Sequence, residues 1–385
     1  MTRKERLMAV LKGEPVDRPP VCFYEINGYS EDENDPDPFN IYNHPSWKPL
    51  LKLAREKTDR IIMCYIPFAH PADQVDKQTV VTTYYDDQGR RHEITEIKAG
   101  DRTLRQHTRR DTDVNTVWIL EHFIKDETDL EAWIELPSDE IGEPDYRQLL
   151  SVEKELGDTG IVMIETGDAL CEIASLMDME EYMIIAMTEQ ELFHKALKKA
   201  QEILLKKTER IAEDLPGRLW RIYGPEYAAP PYLPPKLYKE YVTDYDRNLV
   251  GIIQKYGGFA RIHQHGRQKD ILEYTAQTGC TGLDPIEPFP QGDVELSEVR
   301  KKYGQQMVLF GGLEISDIEQ MNQEEFREKV EHAMCQGTQG EGKGFVLMPS
   351  SCPLGRVLSE NAYKNYEVMM EVAEGYLSTT GGQNG

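Results

Sequence analysis

"FARIHQHGRQKDILEYTAQTGCTGLDPIEP", residues 259–288, holds one complete strand–helix–strand unit. The alternating apolar residues of 259–264 read as a strand, 267–279 as a helix, and 282–288 as the next strand. The same rhythm extends in both directions. Strand candidates precede it at 21–25 (VCFYE), 60–66, 160–166 and 219–224, and follow at 307–312 and 345–350, eight in all. Helical patterns at 190–214, 235–257 and 327–337 fall between or after them. Eight apolar strands with intervening helices predict an α/β chain folded as a closed parallel (β/α)8 TIM barrel. The rival is an open doubly wound sheet, but no GxGxxG follows the first strand, which weakens its dinucleotide-binding version.

Three segments break the rhythm. Residues 1–15 read as an N-terminal helical extension, with Thr2 and Glu5 in capping-box spacing and Leu7, Val10 and Leu11 on one face. Residues 79–122 alternate and turn at "DDQG", the pattern of an inserted antiparallel β hairpin region on a barrel loop. The acidic, proline-interrupted stretch 30–47 is expected to be a mobile lid. The expectation is a single barrel domain over 1–377 and a flexible tail over 378–385.

The charge balance narrows the partners. Lys and Arg total 44 against 68 Asp and Glu, a net charge of −24 that repels phosphate backbones, so nucleic-acid binding is disfavoured. No run of about 18 apolar residues suggests a membrane span, and the first residues lack a secretory h-region. The six cysteines are scattered without a CxxC, as in a reduced cytoplasmic protein.

Chemistry in such a barrel gathers where the strands end. Those positions carry Glu25, Glu165, Asp168, Tyr223, Glu226, His263, His265, Asp284, Glu287, Glu314 and Cys352. Side chains two apart on a strand share a face, so His263 and His265 converge. A divalent cation favours two neutral imidazoles; the plainer reading is a His pair bonded to carboxylates or water. Cys352, in the "MPSSCPLG" loop past the last strand, is either a half-buried thiol or a third donor. Two nitrogens and one thiolate leave Zn²⁺ an open position, with Glu226 or Glu287 as candidates to close the resting shell. Glu226, Glu165 and Glu287 are the candidate catalytic carboxylates. "GPEYAAPPYLPPKLYKEY" (224–241) is a rigid proline loop or an aromatic substrate wall, with Tyr223, Tyr227, Tyr232 and Glu25 as candidate substrate contacts.

Taken together, "MTRKERLMAVLKGEPVDRPPV", "GPEYAAPPYLPPKLYKEY", "IHQHGRQKD", "GLDPIEPFPQGDVEL", "FGGLEIS" and "FVLMPSSCPLG" give the chain a resemblance to the uroporphyrinogen decarboxylase superfamily over nearly its whole length. It resembles most the branch of zinc-dependent, corrinoid-linked methyltransferases. That branch's metal motif is His-x-Cys followed by a distant Cys. His263 stands at the His, Cys352 at the distant Cys, and His265 replaces the middle Cys. Imidazole donates less charge than thiolate, so the metal implied here is a stronger Lewis acid, suited to an ether or alcohol oxygen. The superfamily's decarboxylases carry an arginine-rich segment near the first strand; this chain has "FYEINGY" there, with Glu25. The resemblance implies methyl transfer from a small O-methyl compound, aromatic ethers included, to a corrinoid. Because the chain lacks an Asp-x-His-x-x-Gly cobalamin signature, the corrinoid is expected on a partner protein. Two alternatives stay open: a metal-independent decarboxylase or lyase of the same superfamily, and a metal-dependent hydrolase on the same barrel.

Overall fold

Short runs of Ile, Val, Leu and Met form strands here because they are buried on both faces, against the barrel interior and against the outer helices. The computed structural model describes residues 1–69, 78–138 and 141–376. Its strands in chain order are β1 (Arg60–Cys64), then β2 (Thr79–Tyr85), β3 (Arg91–Ala99), β4 (Arg102–Arg110) and β5 (Val117–Glu121). β6 (Gly160–Gly167), β7 (Leu219–Tyr223), β8 (Phe259–His263), β9 (Gly282–Ile286), β10 (Val308–Leu313) and β11 (Phe345–Pro349) complete the set. β1 and β6–β11 form one parallel sheet in sequential order, and β2–β5 form a separate antiparallel sheet. The inserted region is thus a four-stranded meander, with its first turn at Asp86–Gly89 as expected.

The first of the eight expected strands is reduced to a single point of pairing. Val21 bridges Leu347 of β11 in parallel, Cys22 N–H donates to the Leu347 carbonyl, and Asp59 N–H donates to the Val21 carbonyl just before β1. This short segment closes the sheet on itself. It goes no further because Pro19 and Pro20 precede it and Tyr24 turns away with φ of 54°, a left-handed conformation uncommon outside glycine. Asp59 fastens the closure: its fully buried carboxylate accepts from Arg6 Nη1 (2.6 Å), Arg18 Nη1 (2.8 Å) and the Val21 N–H (2.9 Å).

The N-terminal helix Arg3–Lys12 carries both capping-box hydrogen bonds between Thr2 and Glu5 and ends at Gly13, whose φ of 72° suits glycine. The helix over Gln190–Asp214 coincides with its expected range. The pattern over 235–257 is instead interrupted by a π-helical turn at Lys239–Thr243. The 267–279 helix shrinks to Leu272–Gln277, because the Gln268 and Lys269 N–H groups donate to Asp293 rather than entering a helix. Residues 30–47 are tied down rather than a free flap: Trp47 Nε1 donates to the Arg356 carbonyl, and Arg356 binds Asn43 and the Pro38 carbonyl. No described helix is long and apolar enough to cross a membrane. The expected tail at 378–385 lies outside the described residues.

Candidate functional site

Strand register assembles the site in two levels. At the C-terminal ends, Gly167, Tyr223, His263 and Asp284 are partners across β6–β9. Two residues earlier, Glu165, Arg221, Arg261 and Gly282 form the level beneath. Gly282 is required there: an added Cβ would come within 2.9 Å of the Phe310 ring, on which the Arg261 guanidinium rests at 4.9 Å.

His263 and His265 stand edge to face, with ring centroids 4.7 Å apart. Each gives its Nδ1 to a carboxylate, His263 to Asp284 (3.0 Å) and His265 to Glu287 (2.8 Å). Such a bond sets the tautomer and aims the Nε2 lone pair away from the carboxylate. Their surroundings push the two rings in opposite directions. Burial outweighs Asp284 at His263 and lowers its pKa to about 3, so it is neutral. At His265 burial also disfavours the cation, but Glu287, Glu226 and Asp284 together raise its pKa above the usual 6.5. Asp284 is held near 2: burial alone would raise it, but Arg261, 2.9 Å away, and His263 prevail. Glu287 also accepts from the Gly266 N–H at 2.6 Å, so it is occupied in positioning His265. It forms one wall of a groove of about 690 Å³ whose other lining, Phe289, Leu296, Met321 and His332 among it, lies outside the cluster.

Two residues absent from the sequence expectations knit the rest together. Arg221 is buried and reaches Glu165 (3.0 Å) and Glu25 (3.6 Å) with Nη1, and donates to the Tyr24 hydroxyl (3.0 Å) with Nη2. Its guanidinium lies over both the Tyr24 and Tyr223 rings. The Tyr24 hydroxyl in turn stands 3.4 Å from His263 Nε2. Arg221 had a legible signal, a charge in the middle of the apolar run "LWRIYG". Tyr24 had none, since its place depends on the left-handed turn.

Cys352 is buried, with its thiol 4.0 Å from Glu25. Burial, then the charges of Glu25 and Glu31, push its pKa well above the ordinary thiol value, so alone it is an unreactive thiol. Among the described residues no three His, Cys, Asp or Glu side chains are gathered closely enough to hold a metal as they stand. The donor types and the two carboxylate-braced imidazoles fit zinc; from the sulfur, contacts run through Glu25, Arg221 and Tyr24 to His263. Glu226 accepts the Gly224 N–H, and burial raises its pKa. Tyr227 packs edge-on against Tyr182 at 5.9 Å, and Tyr232 stands exposed, so neither is drawn into this network.

Beside the site lie two fully buried acids, Asp168 and Asp246. Asp168 Oδ1 accepts the Cys171 N–H, while its other oxygen and both oxygens of Asp246 have no hydrogen-bond partner among the described residues. Burial, and for Asp168 the charge of Asp246, raises both pKa values well above the usual carboxylate range. The folded state therefore keeps protons that the unfolded chain has released, and stability falls as pH rises from about 4 towards the raised folded value. Asp246→Asn is expected to flatten this slope by up to about 1.4 kcal/mol per pH unit for each proton removed, read from urea midpoints at several pH values. An unchanged slope would contradict it.

A solved methyltransferase from Methanosarcina mazei superposes with a TM-score of 0.58 over 98% of this chain and 99% of its own, at 15% identity, a likeness of fold. A xylose isomerase-like TIM barrel protein from Mycobacterium smegmatis, in complex with magnesium, reaches a TM-score of only 0.30 over 64% of this chain and 90% of its own, at 13% identity. Among curated proteins no sequence match is significant. Residues 144–376, which carry β6 to β11 and all of the imidazole–carboxylate cluster, match the uroporphyrinogen decarboxylase (URO-D) model, and the chain belongs to that family.

Proposed function

We propose that this chain is a zinc-dependent methyltransferase that moves a methyl group from a small O-methyl compound, aromatic ethers included, to the cobalt of a corrinoid carried by a partner protein. The observation that carries the reading is the pair of imidazoles at the end of β8, each braced at Nδ1 by its own carboxylate. His263, His265 and Cys352 would hold the metal, with the Tyr24 contact to His263 Nε2 giving way. Zinc, when bound, supplies Lewis acidity towards the substrate oxygen and converts a thiol ligand to thiolate.

The chain's own residues do the rest. Asp284 and Glu287 keep both rings in one tautomer and orientation. Breaking the methyl C–O bond leaves the electron pair on oxygen, which needs a proton. Glu226, whose pKa burial raises above the usual carboxylate value, is the group to deliver it. Arg221, held between Glu25 and Glu165, fixes the Tyr24 and Tyr223 rings as one wall of the site. The metal-independent lyase reading draws on one specific observation, the separation of Cys352 from the imidazoles by Glu25 and Arg221.

The test follows a reduced corrinoid protein in visible absorbance with methoxylated substrates. Substrate-dependent methylation with about one zinc per chain supports the proposal. A metal-free chain that releases CO₂ from a carboxylated substrate would replace it with the lyase.

A further inference from the structure

The groove beside Glu287 has a chemistry of its own that the imidazole cluster does not use. Its floor is apolar and deep. Ile286 and Leu296 are buried there, and an added Cβ on Gly312 would come within 3.1 Å of Ala333 and 3.3 Å of Leu296. Phe289 forms one side, from the loop after β9, 51% exposed and without a ring partner among the described residues. The other side is a single stripe of the helix Gln323–Thr338. A concave volume of about 690 Å³ with an apolar floor and a few polar groups is the usual form of a small-molecule site.

The polar groups lean to one sign. The carboxylates of Glu287, Glu295, Glu325 and Glu328 line the groove, against Lys329 and His332. Both bases are committed: Lys329 Nζ donates to Asp317 (2.7 Å), and His332 is bonded to the Gln336 amide (2.8 Å). Glu287 is held by His265 and the Gly266 N–H, and Glu295 accepts from the Gln336 amide at 3.0 Å. The Glu325 and Glu328 carboxylates are left with no ion-pair or hydrogen-bond partner among the described residues. Three apart on one helix, they stand side by side, and like charges so placed repel.

We propose that this groove binds a small organic cation with an apolar body, its ammonium group between Glu325 and Glu328 and its body on Phe289, Leu296 and Ala333. An ammonium group there relieves the repulsion of the two carboxylates, and the Phe289 ring offers it a face as well. An anion would meet four carboxylates, and a neutral molecule would leave the glutamate pair unanswered, so charge selects the ligand. Glu287 is the wall shared with the imidazole pair. The groove is nonetheless a separate site, and its occupancy does not depend on the methyl-transfer reading.

Calorimetric titration of the full chain at low salt with 2-phenylethylammonium, 2-phenylethanol and 3-phenylpropionate tests it. The amine is expected to bind as one equivalent, about tenfold or more tighter than the alcohol, and the carboxylate not at all. Glu325→Gln combined with Glu328→Gln is expected to weaken the amine about tenfold, and Phe289→Ser about fivefold. Circular dichroism should not change, since all three side chains are exposed. Two controls are expected to bind the amine as the wild type does: Glu180→Gln with Glu181→Gln, which removes the same charge from another helix, and His263→Ala. Several results would each overturn the assignment: no saturable binding of the amine, equal affinity for amine and alcohol, wild-type affinity in either groove variant, or loss of binding in either control.

Discussion

His263→Ala is expected to carry less than about one tenth of the zinc of the wild-type chain and to lose about three orders of magnitude in methyl transfer, the worth of a Lewis acid contributing several kcal/mol. The loss is expected to be chemical rather than structural. Asp284, deprived of the imidazole, keeps Arg261 at 2.9 Å, so no buried charge is left alone. Folding should survive, and circular dichroism with zinc content separates the two effects. The ring is already neutral in the folded chain, because burial holds its pKa near 3. Metal binding therefore need not displace a proton from it, whereas at His265 and at the Cys352 thiol, both with raised pKa values, it competes with protons. Zinc retained at full stoichiometry in His263→Ala would remove that residue from the ligand set.

The largest effect on stability is expected at Asp59→Ala, far from the imidazoles. The side chain is fully buried and is the shared acceptor of Arg6, Arg18 and the Val21 N–H. Removing one partner of a buried ionic group typically costs about 3–5 kcal/mol, because the remaining charges lose their compensation. Arg6 keeps Asp17 and Arg18 keeps the Pro19 carbonyl, which places the expected cost at the lower end of that range. The Val21 N–H is left with nothing, and Val21 is the short segment that closes the barrel. Urea unfolding should show a midpoint shift with little change in slope. A loss below about 1 kcal/mol would mean that the closure rests on the β11 contacts alone.

Much of this architecture was legible as periodicity. Seven of the eight expected strands appear within about two residues of their anticipated ends, since an apolar run with polar ends has few other ways to be buried. The eighth failed for local reasons, Pro19 and Pro20 on one side and the left-handed Tyr24 on the other. Period-two spacing placed His263 and His265 together, but it said nothing of their carboxylate partners. Asp284 was visible only as a polar strand end and Glu287 as a candidate metal-shell or catalytic carboxylate, and their pairing with the two rings depends on the β8–β9 register. The position of Cys352 against Glu25 joins residues 327 apart in sequence and follows from barrel closure. Arg221 and Arg261 were readable as charges inside apolar strands, and they prove to be the cations that keep the site's carboxylates paired.

Zinc K-edge X-ray absorption on the purified wild-type chain addresses the account most directly. One zinc with two imidazole nitrogens at about 2.0–2.1 Å and one sulfur at about 2.3 Å is expected, the sulfur shell vanishing in Cys352→Ala. A chain without zinc, or a zinc shell of nitrogen and oxygen that Cys352→Ala leaves unchanged, would contradict it.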